Sequence, residues 1–214
     1  MDTLLRALAL LTLLLLSLSF SNPAFAQPEA PMTGQERQAE YERLGQEMRS
    51  RAQKNAWDGV ERSYAAMLAT GVPLTGTEHF TGAQAASSLG NAAGARQRLQ
   101  WALEVEDVKE YRDWLHSIDQ TYGPVSLKGD PGKVVLSVET MPFDPTQAAA
   151  ISYAQMLVEH SGEFEGLLPA GTYGFGTMDL RVRPGVHTER IDIRSDAYMR
   201  KLERLERKEE RGEG

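Results

Sequence analysis

The side chains that could carry chemistry are few and lie far apart in the sequence. Cysteine is absent, which excludes thiol nucleophiles, thiolate metal sites and disulfides. The chain has four histidines, and none of them stands at a metal-ligand spacing or in a His-Glu-x-x-His motif: His79, His116, His160 and His187. We expect His79 to be solvated near a helix start. We therefore predict no metal and no cofactor, with a metal site built from distant residues as the alternative.

Hydrolase and phosphate-binding motifs are missing as well. There is no Gly-x-Ser-x-Gly elbow, and Ser87-Ser88 falls inside a predicted helix, where it faces a groove. The glycine-rich run from Gly171 to Gly176 lacks the following helix and the lysine of a phosphate loop, so it predicts a hairpin. We predict that the protein is not an enzyme, and a hydrolase site assembled from dispersed side chains is the alternative.

Composition and charge set the broad class. The 214 residues carry 30 acids against 23 bases, a formal charge of −7, which argues against a nucleic-acid partner because such proteins need a basic patch. A hydrophobic fraction of 41% is that of an ordinary folded chain and excludes general disorder. This length allows one domain or two small ones.

The first 26 residues have the parts of a secretory signal peptide. Their apolar core from Ala7 to Phe20 is shorter than the roughly 20 residues that span a bilayer. Small residues at Ala24 and Ala26 suit a signal peptidase, so we predict cleavage between Ala26 and Gln27. The mature protein would then be periplasmic or extracellular, without a membrane span; an uncleaved anchor is the alternative.

Residues 27–33 are a predicted linker, and residues 34–122 have a helical pattern. Apolar side chains recur three and four residues apart between Tyr41 and Met48 and between Trp57 and Leu68. Further helices are predicted over 77–89, 92–105 and 108–122, the last closed by Gly123-Pro124. Each tryptophan falls on an apolar helix face and is predicted in the core: Trp57, Trp101 and Trp114.

After Pro124 the apolar period changes from helical to alternating. Alternation predicts strands over 134–140, 178–182 and 190–194, and it places Tyr173 and Phe175 in a core. A helix over 145–160 lies between the strands, capped by Asp144.

The predicted fold class is therefore α+β. N-terminal helical hairpins precede a small antiparallel β-sandwich over 123–194, which contains the inserted helix 145–160. Residues 195–214 are rich in charged side chains, which indicates a solvated helix or tail. A partner-binding coiled coil is the alternative.

The stretch from Gly76 to Asp107 resembles a tetratricopeptide-type helical hairpin. Small residues stand where two antiparallel helices must cross closely, namely Ala83, Ala95 and Ala102. Gly90-Asn91 stands at the turn between the two helices. Three positions depart from the repeat, since Gly82 replaces its usual leucine, Ala86 its usual aromatic residue and Asp107 its closing proline. We predict tetratricopeptide-like packing over 34–122, with an unrelated helical bundle as the alternative.

The run Leu168-Pro169-Ala170-Gly171-Thr172-Tyr173 and the later Pro184-Gly185 turn resemble small β-sandwich modules of the PEGA and carboxypeptidase-regulatory type. In those modules glycine forms the turn and tyrosine fills the core, whereas the helix 145–160 is a departure from them. The resemblance implies no catalytic residues and an association with the cell envelope. The whole chain resembles exported proteins of the deltaproteobacterial type, which implies no established activity.

These observations predict an exported scaffold or interaction protein of the cell envelope. A protein or peptide partner would bind outward residues of the first repeat helix: Thr77, Phe80, Gln84, Ser87 and Ser88. The alternative is a carbohydrate- or cell-wall-binding module that acts through exposed aromatic residues of the sandwich. The oligomeric state stays open.

Overall fold

A computed structural model describes residues 32–142 and 144–210. The predicted signal peptide over 1–26, with its cleavage site between Ala26 and Gln27, lies outside these residues, as does most of the predicted linker 27–33. The described chain has a helical N-terminal part followed by short strands, and the predicted α+β class is confirmed.

Seven helices are present in the described chain. They are α1 (Gly34–Ala52), α2 (Trp57–Ala69), α3 (Gly76–Ser88), α4 (Ala92–Val105), α5 (Lys109–Thr121), α6 (Pro145–Ser161) and α7 (Asp196–Glu210). Helices α3 to α6 confirm the predicted bounds to within one residue at each end.

Local side-chain chemistry explains where these helices begin and end. At the start of α3, Thr75 and Glu78 form a capping box, in which the Glu78 carboxylate accepts from the Thr75 backbone N–H at 2.8 Å. At the start of α6, Asp144 accepts from the backbone N–H of Thr146 at 2.7 Å, as predicted. Gly162 ends α6 in the left-handed conformation that glycine favours.

Helices α3 and α4 cross at their small residues. The predicted contact residues Ala83, Ala95 and Ala102 are fully buried. Gly82, the departure from the repeat pattern, lies beneath the ring of Tyr64 from α2, and a Cβ added there would lie 2.5 Å from Tyr64 Cδ2. The ring of Tyr64 therefore occupies the space that a leucine at position 82 would fill.

Six strands form two three-stranded sheets in the described chain. One has the order β3-β1-β6 and the other β2-β4-β5. The strands are β1 (Tyr122–Lys128), β2 (Leu136–Val138), β3 (Glu163–Pro169), β4 (Gly171–Phe175), β5 (Met178–Val182) and β6 (Glu189–Asp192).

Two features of the sheets differ from prediction. Strand β6 runs parallel to β1, whereas all pairs were expected to be antiparallel. Strand β1 was not predicted, because Gly123-Pro124 indicated only a helix end. Pro124 has no backbone N–H to donate to a neighbouring strand. It fits in this central strand because β6 pairs with β1 only from Val125 onward, so no ladder hydrogen bond is lost on the β6 side.

Helix α6 contributes to two cores at once. Its Ile151, Ala154 and Val158 join the sheet core with Tyr173 and Phe175, which are buried as predicted. Its Ala150 instead joins the core of the helices α3 to α5. From Gln35 onward the described residues belong to one compact unit, in which α6 packs on α3 as well as on the strands β2 and β3.

Helix α7 is attached at its first turn. The Asp130 carboxylate accepts from the Ser195 backbone N–H at 2.9 Å and from the Ser195 hydroxyl at 2.6 Å. The Ser195 oxygen in turn accepts from the Tyr198 N–H, so Ser195 caps this helix. These hydrogen bonds to Ser195 lower the pKa of Asp130 below its ordinary value.

Candidate functional site

A groove runs along the surface formed by α3 and α5, with a volume of about 380 Å³. Four of the five predicted partner-binding residues line it, and Thr77 does not, since it lies exposed at the start of α3. The lining side chains are Trp57, Phe80, Gln84, Ser87, Ser88, Glu110, Trp114 and Thr146. The outward residues predicted on this helix thus supply one wall of the groove but not the other.

The groove continues into a second cavity of about 190 Å³. The two cavities share Ser87, Trp114 and Thr146, so they form one surface feature. The second cavity extends to Asp144 and Gln147 at the start of α6. A ligand could therefore run from the helices toward the sheet region without leaving the groove.

Aromatic rings form the apolar part of the groove. Phe80 stacks on the buried Tyr111 with 4.6 Å between ring centroids, and Trp114 meets Phe80 edge-on at 5.5 Å. Phe80 and Trp114 are thereby held in position by other rings.

All three tryptophans are half-buried, so their prediction as core residues holds only in part. Trp114 and Trp57 each pack one side against a core cluster and line the groove with the other. The reason lies on α3, where Gln84, Ser87 and Ser88 are too short or too polar to cover the rings.

The polar lining residues are available to a ligand. The side chains of Gln84, Ser87 and Ser88 donate to and accept from no other residue in the described part of the chain. Glu110 lies exposed in the first turn of α5 and has no ion-pair partner there. The groove therefore combines apolar rings with amide, hydroxyl and carboxylate groups that have no internal partner.

His79 is not at this site, and its predicted solvation is wrong. Its side chain is buried between α2, α3 and α4, and its Nδ1 lies 3.0 Å from the Tyr64 hydroxyl. The ring of Trp101 lies 5.7 Å away from it. Burial lowers the pKa of His79, because an imidazolium would be poorly hydrated there.

This burial predicts a pH dependence of stability. The folded chain binds a proton at His79 less readily than the unfolded chain does, so the free energy of unfolding should fall as pH drops below the unfolded value of about 6.5. We expect the urea midpoint to decrease between pH 7.5 and 5.5, and the His79→Gln variant to lose part of that decrease.

His116→Gln is the matched control for this effect. His116 is exposed on α5, so its replacement should leave the pH dependence as in the unchanged protein. Equal slopes in the His79→Gln protein and the unchanged protein would show that burial of His79 does not contribute.

Across residues 32–142 and 144–210, no cluster of three or more histidines and acids could hold a metal ion. Within the same ranges, no helix combines the length and the apolarity needed to cross a membrane. The arrangement of side chains in the groove is suited to binding.

Sequence reasoning missed Trp57, Glu110, Trp114 and Thr146. Trp114 could have been found, because the first helices of successive hairpins lie side by side in a repeat, and Trp114 is on the next such helix. Thr146 could not, because its place at the groove depends on how α6 packs against α3.

No protein-family model, curated protein or solved structure matches this chain.

Proposed function

We propose that this protein is an exported, non-enzymatic interaction protein that binds a peptide segment of a partner in the groove between α3 and α5. The observation that carries the proposal is the half-exposed pair of rings, Phe80 and Trp114, beside polar side chains that have no partner among the described residues. Rigid aromatic anchors with a polar surround are typical of the energetic centre of protein interfaces.

A peptide fits the groove better than a small compact ligand does. The groove is open and continues into the second cavity past Ser87 and Trp114, so an extended chain could pass through both. Apolar side chains would contact the rings, and the Gln84 amide could pair with a peptide backbone group. Binding would then combine backbone pairing with recognition of particular side chains.

The sandwich offers less for the alternative carbohydrate- or wall-binding function. That function needs aromatic faces open to a sugar, and the strand aromatics Tyr173 and Phe175 are 2% and 0% exposed. Their rings fill the sheet core, and the Tyr173 hydroxyl donates to the Pro169 carbonyl at 2.7 Å. The groove is therefore the better-supported site.

The proposal can be tested by selecting random peptides, displayed on phage, for binding to the purified chain that begins at residue 27. We expect enriched peptides to bind about 30-fold more weakly to Trp114→Ala, a loss of about 2 kcal/mol for a central anchor. Gln84→Ala should weaken them about fivefold, through one hydrogen bond worth about 1 kcal/mol. Affinities would be measured by isothermal titration calorimetry.

Gln97→Ala is the control for the glutamine variant. Gln97 is exposed on α4, away from the groove, so its replacement should not change the affinity. Failure to enrich any peptide, or equal binding to the Trp114→Ala protein, would refute a peptide-binding role of this groove. A circular dichroism melt of each variant separates lost binding from lost folding.

A further inference from the structure

We propose that the groove selects a partner segment that carries arginine, with the guanidinium lying against Trp114 and pairing with Glu110. This inference rests on the proposed function and names the side chain that the bound peptide must present.

The charges of the groove are all of one sign. Among the described residues, its charged lining residues are Glu110 in the main cavity and Asp144 in the second, and no lysine or arginine of that part of the chain lines either cavity. The chain as a whole carries a formal charge of −7, which adds to the attraction of a cation. A cationic segment is therefore the electrostatic complement of this surface.

Glu110 differs from Asp107 and Asp113, the acids on either side of it that are paired with a base. Asp113 pairs with Lys109 at 2.5 Å, and Asp107 pairs with Arg112. Glu110 lies among these pairs and has no partner in the described part of the chain. Lys109 and Arg112 are thus already engaged, and the carboxylate of Glu110, which lines the groove, is not paired with either of them.

Glu110 and Trp114 are positioned to act on the same group. They stand four residues apart on α5, which places both side chains on one face of the helix, and both line the main cavity. A cation that lies over the tryptophan ring, the strongest aromatic partner for a cation, would also be within the field of the carboxylate.

Elsewhere in this protein, an arginine is already bound by an aromatic ring together with a carboxylate. On the other face of α3, the Arg98 guanidinium lies 4.2 Å from the Tyr64 ring centroid and pairs with both Glu61 oxygens at 2.6 Å. That internal unit has a ring, a carboxylate and an arginine. The groove has the ring and the carboxylate, and the partner would supply the arginine.

Arginine suits this arrangement better than lysine. Its planar guanidinium can stack on a ring and pair with a carboxylate at the same time, whereas an ammonium group is compact and more strongly hydrated. We expect the groove to prefer arginine over lysine, and to discriminate strongly against citrulline, which keeps the shape of arginine but has no charge.

Pools of acetylated nonapeptides test the preference. The central residue is fixed as arginine, lysine, citrulline or glutamate, and the other positions are randomised. Fluorescence anisotropy on the chain from residue 27 should give binding about tenfold tighter for the arginine pool than for the citrulline pool. In Glu110→Gln this ratio should fall to about threefold or less, and high salt should also reduce it.

Glu165→Gln is the matched control, because Glu165 is an exposed acid on β3 that does not line the groove. It should keep the full preference for arginine. Binding of all pools with no preference for arginine, or a preference that survives in Glu110→Gln, would overturn this inference and leave the peptide-binding proposal intact. Binding of no pool would overturn both.

Discussion

Gly90→Ala is expected to lower the free energy of unfolding by about 3–5 kcal/mol. Gly90 follows α3 with a φ of 86°, a conformation that L side chains rarely adopt. A Cβ there would lie 2.3 Å from the Ala149 carbonyl oxygen of α6. Relief of this overlap requires α6 to move away from α3, although the adjacent Ala150 is buried in the helical core.

Gly71→Ala separates the two causes of this loss. Gly71 has a φ of 72°, and nothing lies within 4 Å of the position its Cβ would take. Its replacement reports the cost of the left-handed backbone alone, about 1 kcal/mol. Urea unfolding followed by circular dichroism measures both variants. If Gly90→Ala costs no more than Gly71→Ala, the close packing of α6 on this turn is not a constraint.

Tyr64→Ala is expected to cost about 3–5 kcal/mol, as the removal of a large buried ring does. The Tyr64 side chain is 1% exposed, its ring contacts the backbone at Gly82, and Arg98 lies over its face. Tyr64→Phe keeps the ring and loses only the hydroxyl opposite His79 Nδ1, so it should cost about 1 kcal/mol. The difference between the two variants measures the packing of the ring.

A double mutant isolates the contact between Tyr64 and Gly82. Gly82→Ala alone should cost about 1–3 kcal/mol, because the added Cβ would overlap the ring. In the Tyr64→Ala background the same change should be neutral or stabilising by up to about 1 kcal/mol, since alanine favours a helix over glycine. Additive effects in the two backgrounds would mean that the ring does not determine the glycine.

The contact between Tyr64 and Gly82 also shows that the sequence can locate a departure from a repeat pattern but cannot give its structural cause. The resemblance to a tetratricopeptide hairpin marks Gly82 as a position where that repeat usually has leucine. Only the packed helices show that Tyr64, eighteen positions earlier in the chain, fills that space. A residue on one helix cannot report which side chain of another helix will contact it.

The candidate site also combines residues that the sequence could predict with a feature that it could not. Phe80, Gln84, Ser87 and Ser88 could be predicted because they share the outward face of one helix, and helical spacing is a local property. Trp114 was expected in the core because it lies on an apolar stripe. How much of its ring stays open depends on the short side chains that α3 places against it, which is a property of the pair of helices.

The sequence by itself determined the helix bounds, the strand alternation and the outward face of α3, because caps, turn glycines and apolar period act between residues close in the chain. The tertiary structure alone decided the burial of His79, the parallel pairing of β6 and the opposite wall of the groove. Each of these depends on contacts between segments far apart in the sequence. Such contacts are selected by the packing of the whole fold and cannot be inferred from the periodicity of either segment alone.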